Sequence, residues 1–127
     1  MLLNTEYGKF LNTQDWDYFT TLTYKWDVKQ KQNRTYMDRL VDNIKKTGLS
    51  FSMFWVSEWH RSGVSTHNHL LVKGDVITSI DQYWSENNLG SKKHNKHIVY
   101  ERDKGASFYL TKYIDKNVDY DYVWKNK

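Results

Sequence analysis

The stretch "SFSMFWVSEWHRSGVSTHNHLLVKG", residues 50–74, decides which fold the rest of the chain can adopt. Its two halves, 50–61 and 65–74, are rich in aromatic and aliphatic residues and are predicted to be strands. Ser62 and Gly63 between them favour a β-hairpin. The second strand is unusual, because His67 and His69 occupy positions where a strand would ordinarily carry Val or Ile.

Strand and helix signals alternate on both sides of this hairpin. Further strands are predicted at 17–26 and 96–103, and the tail from 118 could be a short strand or a loop. Apolar residues recur at helical spacing in 33–48, with Gly48 as the expected C-cap, and again in 76–90. The apolar positions are Met37, Leu40, Val41 and Ile44 in the first helix and Ile77, Ile80, Tyr83 and Trp84 in the second.

This order of elements predicts an α+β fold of the ferredoxin-like, split βαββαβ type. Such a fold has an antiparallel sheet with two helices on one face. A third helix, predicted over 105–117, would lie near the other, open face and leave room there for a site. The length of 127 residues fits one domain, covering 1–127.

Composition narrows the class of protein. The chain has no Cys, which excludes disulfides and thiolate metal sites. It has no apolar run near the roughly 20 residues of a membrane span, and no signal peptide is apparent, so we expect a cytoplasmic location (a host cytoplasm for a viral protein) without membrane contact. The net charge of +4 and the 17% aromatic content suit a single-stranded nucleic-acid surface, but they equally suit a small domain with an aromatic core.

The two histidines are predicted to form part of a metal site. Residues two apart in a strand project to the same face, so His67 and His69 point together while Asn68 points away. The hairpin brings Glu58 of the preceding strand back near this pair, and His60 shares its face. Two imidazoles and a carboxylate can hold Mn²⁺ or Mg²⁺ at a phosphate, although zinc also accepts these ligands. A pair of solvated strand histidines is the alternative interpretation.

A second candidate element is "YLTKYIDK", residues 109–116. At about 100° per residue, one helical face would present two phenols and two ammonium groups. A tyrosine can act as a covalent nucleophile, and a neighbouring lysine favours its phenolate form. An amphipathic helix with interfacial tyrosines and solvated lysines is the plain alternative. The four side chains are those of Tyr109, Lys112, Tyr113 and Lys116.

Together these elements resemble the HUH endonuclease superfamily, the rolling-circle replication initiators (Rep proteins) of viruses and plasmids. "FTTLTY" (19–24) resembles the first motif, "HNHLLV" (67–72) the histidine motif and "YLTKYIDK" the Tyr-x-x-Lys motif, in the family's order. Asn68 departs from the family pattern, because a bulky apolar residue is usual there. The overlapping repeat of Tyr-x-x-Lys is most similar to initiators that use two tyrosines, whereas many relatives use one, for which Tyr109 is the better match.

The resemblance implies a site-specific nickase that joins its tyrosine to a 5′-phosphate of single-stranded DNA and later rejoins the strand. It implies metal ligation by Glu58, His67 and His69 and catalysis by the residues of the Tyr-x-x-Lys motif. Phosphates of the origin DNA would be held by basic residues, namely Lys25, Arg34, Lys92, Lys93 and Lys96. His94 and His97, in what is predicted as a loop, are interpreted as phosphate contacts or bystanders.

Several alternatives stay open. A single-tyrosine transposase of the same superfamily also has a His-x-His strand, and a non-catalytic single-stranded DNA- or RNA-binding module can share this fold. The sequence lacks G-x-x-x-x-G-K-[ST], so a host helicase, together with a host polymerase, is an expected partner. Whether the chain acts alone or as a homodimer is also open.

Overall fold

The computed structural model describes residues 3–59, 66–90, 94–102 and 119–126. These residues form an α+β fold, which confirms the predicted fold class. In chain order, the elements are α1 (Leu3–Asn12), β1 (Tyr18–Leu22), α2 (Gln30–Lys45), β2 (Phe51–Trp59), β3 (Thr66–Lys73), α3 (Ile77–Glu86), β4 (Asn95–Val99) and β5 (Tyr120–Lys125). None of the helices in these ranges has the length and apolar character needed to cross a membrane.

The five strands form one antiparallel sheet in the order β4-β1-β3-β2-β5. The first four strands have the order expected of a split βαββαβ unit, because β1 and β2 are separated by β3 and the connecting helix crosses over it. The tail, which the sequence left as strand or loop, is the strand β5 and extends the sheet beyond β2.

The main core lies between one face of the sheet and helices α2 and α3, and we call this face the helix face. The predicted apolar positions of α2 are all buried there, as are Ile80, Tyr83 and Trp84 of α3, with Ile77 packed partly against them. Helix α2 ends at Lys45, and Gly48 follows with a φ of +78°, a conformation that favours glycine. The helical periodicity of both segments therefore predicted their packing correctly.

The opposite face, which we call the site face, is covered in part by helix α1. Leu11 of α1 is buried against Phe54 and Leu71, and the ring of Tyr7 lies 5.3 Å from that of Phe54. The sequence analysis did not predict this helix, because its segment has few apolar residues and a central glycine. The predicted helix over 105–117 and the hairpin turn at Ser62 and Gly63 fall outside the residues that the structure describes.

Asn68, the departure from the histidine motif, has a structural explanation on the helix face. It is fully buried and exchanges two hydrogen bonds with the buried Asn33 of α2, with N···O distances of 2.8 and 2.9 Å. The hydroxyl of Tyr24 donates to the same Asn33 oxygen at 2.6 Å. Burial raises the pKa of Tyr24, so its hydroxyl remains protonated and available as a donor. Asn68 therefore ties β3 to α2 and to the segment after β1.

We expect Asn68→Ala to lower the free energy of unfolding by about 1–3 kcal/mol, because the Asn33 amide loses its partner in a buried position. Chemical denaturation measured by circular dichroism tests this. Asn43→Ala is the matched control, since Asn43 is an exposed asparagine of the same helix and its loss should cost less than about 0.5 kcal/mol. Equal effects of the two substitutions would contradict a special role for the amide pair.

Candidate metal centre

Pairing of β2 with β3 places the three predicted metal ligands on the site face. Glu58 lies directly opposite His67, and Val56 lies opposite His69. Because side chains alternate along a strand, Glu58, His67 and His69 project together, whereas Asn68 projects to the helix face. The backbone register alone therefore brings a carboxylate and two imidazoles to one point.

The ligand atoms converge closely. Oε2 of Glu58 lies 3.0 Å from Nε2 of His67 and 2.6 Å from Nε2 of His69. Adjacent ligands of an octahedral ion with bonds of about 2.1 Å lie about 3 Å apart, so these separations suit a divalent cation. Candidate ligand atoms of all three residues lie within 4.8 Å of one another, and no other such group of three is found among the described residues. This group could hold a divalent metal ion.

The centre is held firmly but is open to solvent on one side. His69 is 12% exposed, and Glu58 and His67 are each 21% exposed. The ring of Phe19 packs against His69 at a centroid distance of 5.7 Å, and the two imidazoles meet edge to face at 5.0 Å. Partial burial strengthens metal–ligand electrostatics, while the open side leaves space for a further ligand such as a phosphate oxygen.

Thr21 of β1 orients one of the imidazoles, a contact that the sequence analysis missed. Its Oγ1 lies 3.1 Å from Nδ1 of His69, and the two residues are partners in the β1–β3 register. With Nδ1–H donating to this hydroxyl, the lone pair of Nε2 points at the metal position. Thr21 lies in the "FTTLTY" stretch, but only the pairing of β1 with β3 shows which threonine faces the histidine.

The structure brings one predicted basic residue to the same face as the metal centre. Lys96 of β4 is exposed and pairs with Thr21, which in turn pairs with His69. Lys25 is exposed beyond the end of β1. The remaining predicted site residues lie outside the described residues, as does His60: Lys92, Lys93, Tyr109, Lys112, Tyr113 and Lys116.

Arg34 lies on α2 and is engaged with acidic side chains. Its guanidinium contacts the carboxylates of Asp119 at 3.3 Å and Asp121 at 2.8 Å, and it also pairs with Asp38 on its own helix. It stacks over the ring of Trp55 at 5.2 Å. These contacts fasten β5 to α2, so Arg34 has a structural role whatever its contact with DNA, which stays a prediction.

His97 belongs to a second polar cluster, on the helix face. It lies on β4 rather than in the predicted loop, and its Nε2 is 2.8 Å from Asp81 of α3. Its Nδ1 is 2.8 Å from Oγ1 of Thr20. Both ring nitrogens are therefore hydrogen-bonded within the fold, which corrects the prediction of a loop here. The cluster joins the edge strand β4 to β1 and α3.

We expect Thr21→Val to weaken binding of Mn²⁺ by about 10- to 100-fold, the usual cost of losing a hydrogen bond that orients a ligand. Isothermal titration calorimetry measures this, and His69→Ala should abolish binding at the same site. Thr20→Val is the matched control, because the neighbouring hydroxyl contacts His97 on the helix face instead. Unchanged affinity in Thr21→Val would contradict the orienting role.

Comparison with known proteins gives one match. A family model described as replication-associated protein ORF2 matches residues 17–118, which include the three candidate ligands. No curated protein and no solved structure matches the chain. Since the matched region covers most of the 127 residues, the chain belongs to the replication-associated protein ORF2 family.

Proposed function

We propose that the protein is a metal-dependent DNA nicking and joining enzyme of the HUH type that initiates rolling-circle replication. The observation that carries this proposal is the convergence of Glu58, His67 and His69 on the site face of a replication-associated family member. A purely structural cluster would not need three such groups on a partly open surface, because buried polar groups ordinarily serve to satisfy one another.

The three ligands suggest how a phosphodiester would be activated. A divalent ion held there, Mn²⁺ or Mg²⁺, would polarise a phosphate oxygen of single-stranded DNA. The phenolic oxygen of a tyrosine then forms a bond to phosphorus and loses its proton. The bond from phosphorus to the 3′ oxygen breaks, and this oxygen leaves as a 3′-OH. A 5′-phosphotyrosine link remains, and attack by a 3′-OH reverses the step and rejoins the strand.

The candidate nucleophiles Tyr109 and Tyr113 precede a residue whose position supports the proposal. The backbone of Asp119 is hydrogen-bonded to Ser57, the neighbour of Glu58, at an N···O distance of 2.9 Å. The six residues from Tyr113 to Asp119 span at most about 22 Å in any conformation. The chain length therefore allows the phenol of Tyr113 to reach the metal centre. Lys112 and Lys116 would offset the charge of the phosphate.

Substrate and partners complete the proposal. The origin strand would pass over the site face, where Lys96 stands beside the metal centre, with Lys25, Lys92, Lys93 and Arg34 as further candidate phosphate contacts. A host helicase would supply unwinding and a host polymerase synthesis. A transposase of the same superfamily would differ by excising and transferring paired element ends, and a non-catalytic module would bind DNA without any covalent adduct.

Incubation with single-stranded oligonucleotides and Mn²⁺ should give a covalent protein–DNA adduct, visible as a shifted band on a denaturing gel. We expect EDTA, or His67→Ala, to reduce the adduct at least 100-fold, because the polarising ion is lost. Tyr109→Phe and Tyr113→Phe, singly and together, identify which phenol forms the link. The double variant should form none.

Tyr36→Phe is the matched control for the tyrosine variants, since Tyr36 lies on α2 at the helix face. It should form the adduct at the wild-type rate. Cleavage across an oligonucleotide library without any adduct would reject the tyrosine mechanism in favour of a water nucleophile. Binding without cleavage, unaffected by the double Tyr→Phe change, would favour the non-catalytic module.

A further inference from the structure

An aromatic cleft lies on the molecule away from the metal centre. It has a volume of about 410 Å³ and lies between the end of α1 and strand β5. Three rings contribute to it, those of Phe10, Tyr122 and Trp124, and the amides of Gln14 and Asn126 border it together with Ser52. Rings bordered by amide groups are suited to a flat, polar-edged ligand.

Two of the three rings are exposed to an extent that the fold does not require. Phe10 is 46% exposed and Trp124 is 58% exposed. Tyr122 between them is held in place, because its ring meets Phe10 at 5.4 Å and Trp16 at 6.4 Å, edge to face in both cases. The cleft therefore combines a fixed ring with two accessible ones.

A second cleft, of about 290 Å³, adjoins the first and shares Ser52 and Asn126 with it. It contains the side chains of Lys73 and Lys125, of which Lys73 is exposed. Lys125 also donates to the carbonyl of Lys45 at 2.6 Å. Asp17 borders the same cleft, and its Oδ2 accepts a hydrogen bond from the Gly74 amide at 2.7 Å. Two ammonium groups thus stand next to the aromatic cleft.

The paired clefts are separate from the metal centre. Ser52 lies six residues before Glu58 on β2, a distance of about 20 Å along the strand. Most of the aromatic cleft comes from α1 and β5, and both of these elements fall outside residues 17–118, the region shared with the family. The clefts are therefore an addition of this chain to the shared region.

We propose that the paired clefts bind one nucleotide of single-stranded DNA, as a second contact that is remote from the cleavage site. The base stacks on Trp124 and Phe10 with the amides at its edge, and its phosphate is bound by Lys73 and Lys125. Aromatic rings next to cations fit a base joined to a phosphate better than they fit an apolar protein partner. The choice of DNA as ligand rests on the proposed function.

The test is binding of a fluorescein-labelled oligothymidylate, measured by fluorescence anisotropy in EDTA so that no cleavage occurs. Trp124→Ala should weaken binding about five- to hundredfold, the usual range for a lost base–ring stack. Lys73→Ala should lower the slope of log K against log salt by about 0.7. Trp26→Ala is the matched control, an exposed tryptophan packed against Tyr24 and Tyr36 elsewhere, and should bind as the wild type does.

An oligonucleotide with abasic sites separates stacking from a general loss of surface. The penalty of Trp124→Ala should shrink to less than about twofold on this ligand, because the base that stacks is missing. Wild-type affinity of Trp124→Ala for the intact oligonucleotide would overturn the inference, as would a loss confined to self-association in sedimentation analysis. Neither outcome affects adduct formation at the metal centre, and absence of the adduct with this binding intact would reject only the proposed function.

Discussion

The register of β2 on β3 is the constraint on which the rest of the structure depends. Glu58 stands opposite His67, and this single pairing fixes which side chains reach the site face along both strands. A slip of one residue would turn the imidazoles toward the core and expose Asn68. Function and stability are thus specified by the same hydrogen-bond ladder, because no ligand can be misplaced without also burying a charged group and exposing a core residue.

Strand β3 serves both faces of the sheet by strict alternation. His67 and His69 face the candidate metal centre, while Asn68 between them is locked to Asn33 of α2. A buried amide pair is satisfied in only one register, so it pins the strand from the helix side. An apolar residue at 68 would fill the same core position without this specificity. The departure from the family's usual residue therefore adds a positional constraint next to the metal ligands.

Local patterns accounted for most of the fold, and long-range pairing accounted for what they missed. The periodicity of α2 and the arithmetic of the β2–β3 hairpin predicted the packed helix and the place of Glu58. Helix α1 was missed because its stability comes from contacts of Tyr7 and Leu11 with distant strands, not from its own pattern. The contact of Thr21 with His69 spans 48 residues and depends on a pairing that no local pattern encodes.

The packing of α1 against β5 bears on the order in which the molecule assembles. The ring of Tyr7 meets that of Tyr120 at 5.8 Å, although more than one hundred residues separate them along the chain. A short helix of this kind is barely stable alone, and closing so long a loop costs entropy before any contact repays it. On a ribosome, the first helix must therefore wait until the last strand has emerged and docked, so the layer beside the catalytic face matures at the end of folding.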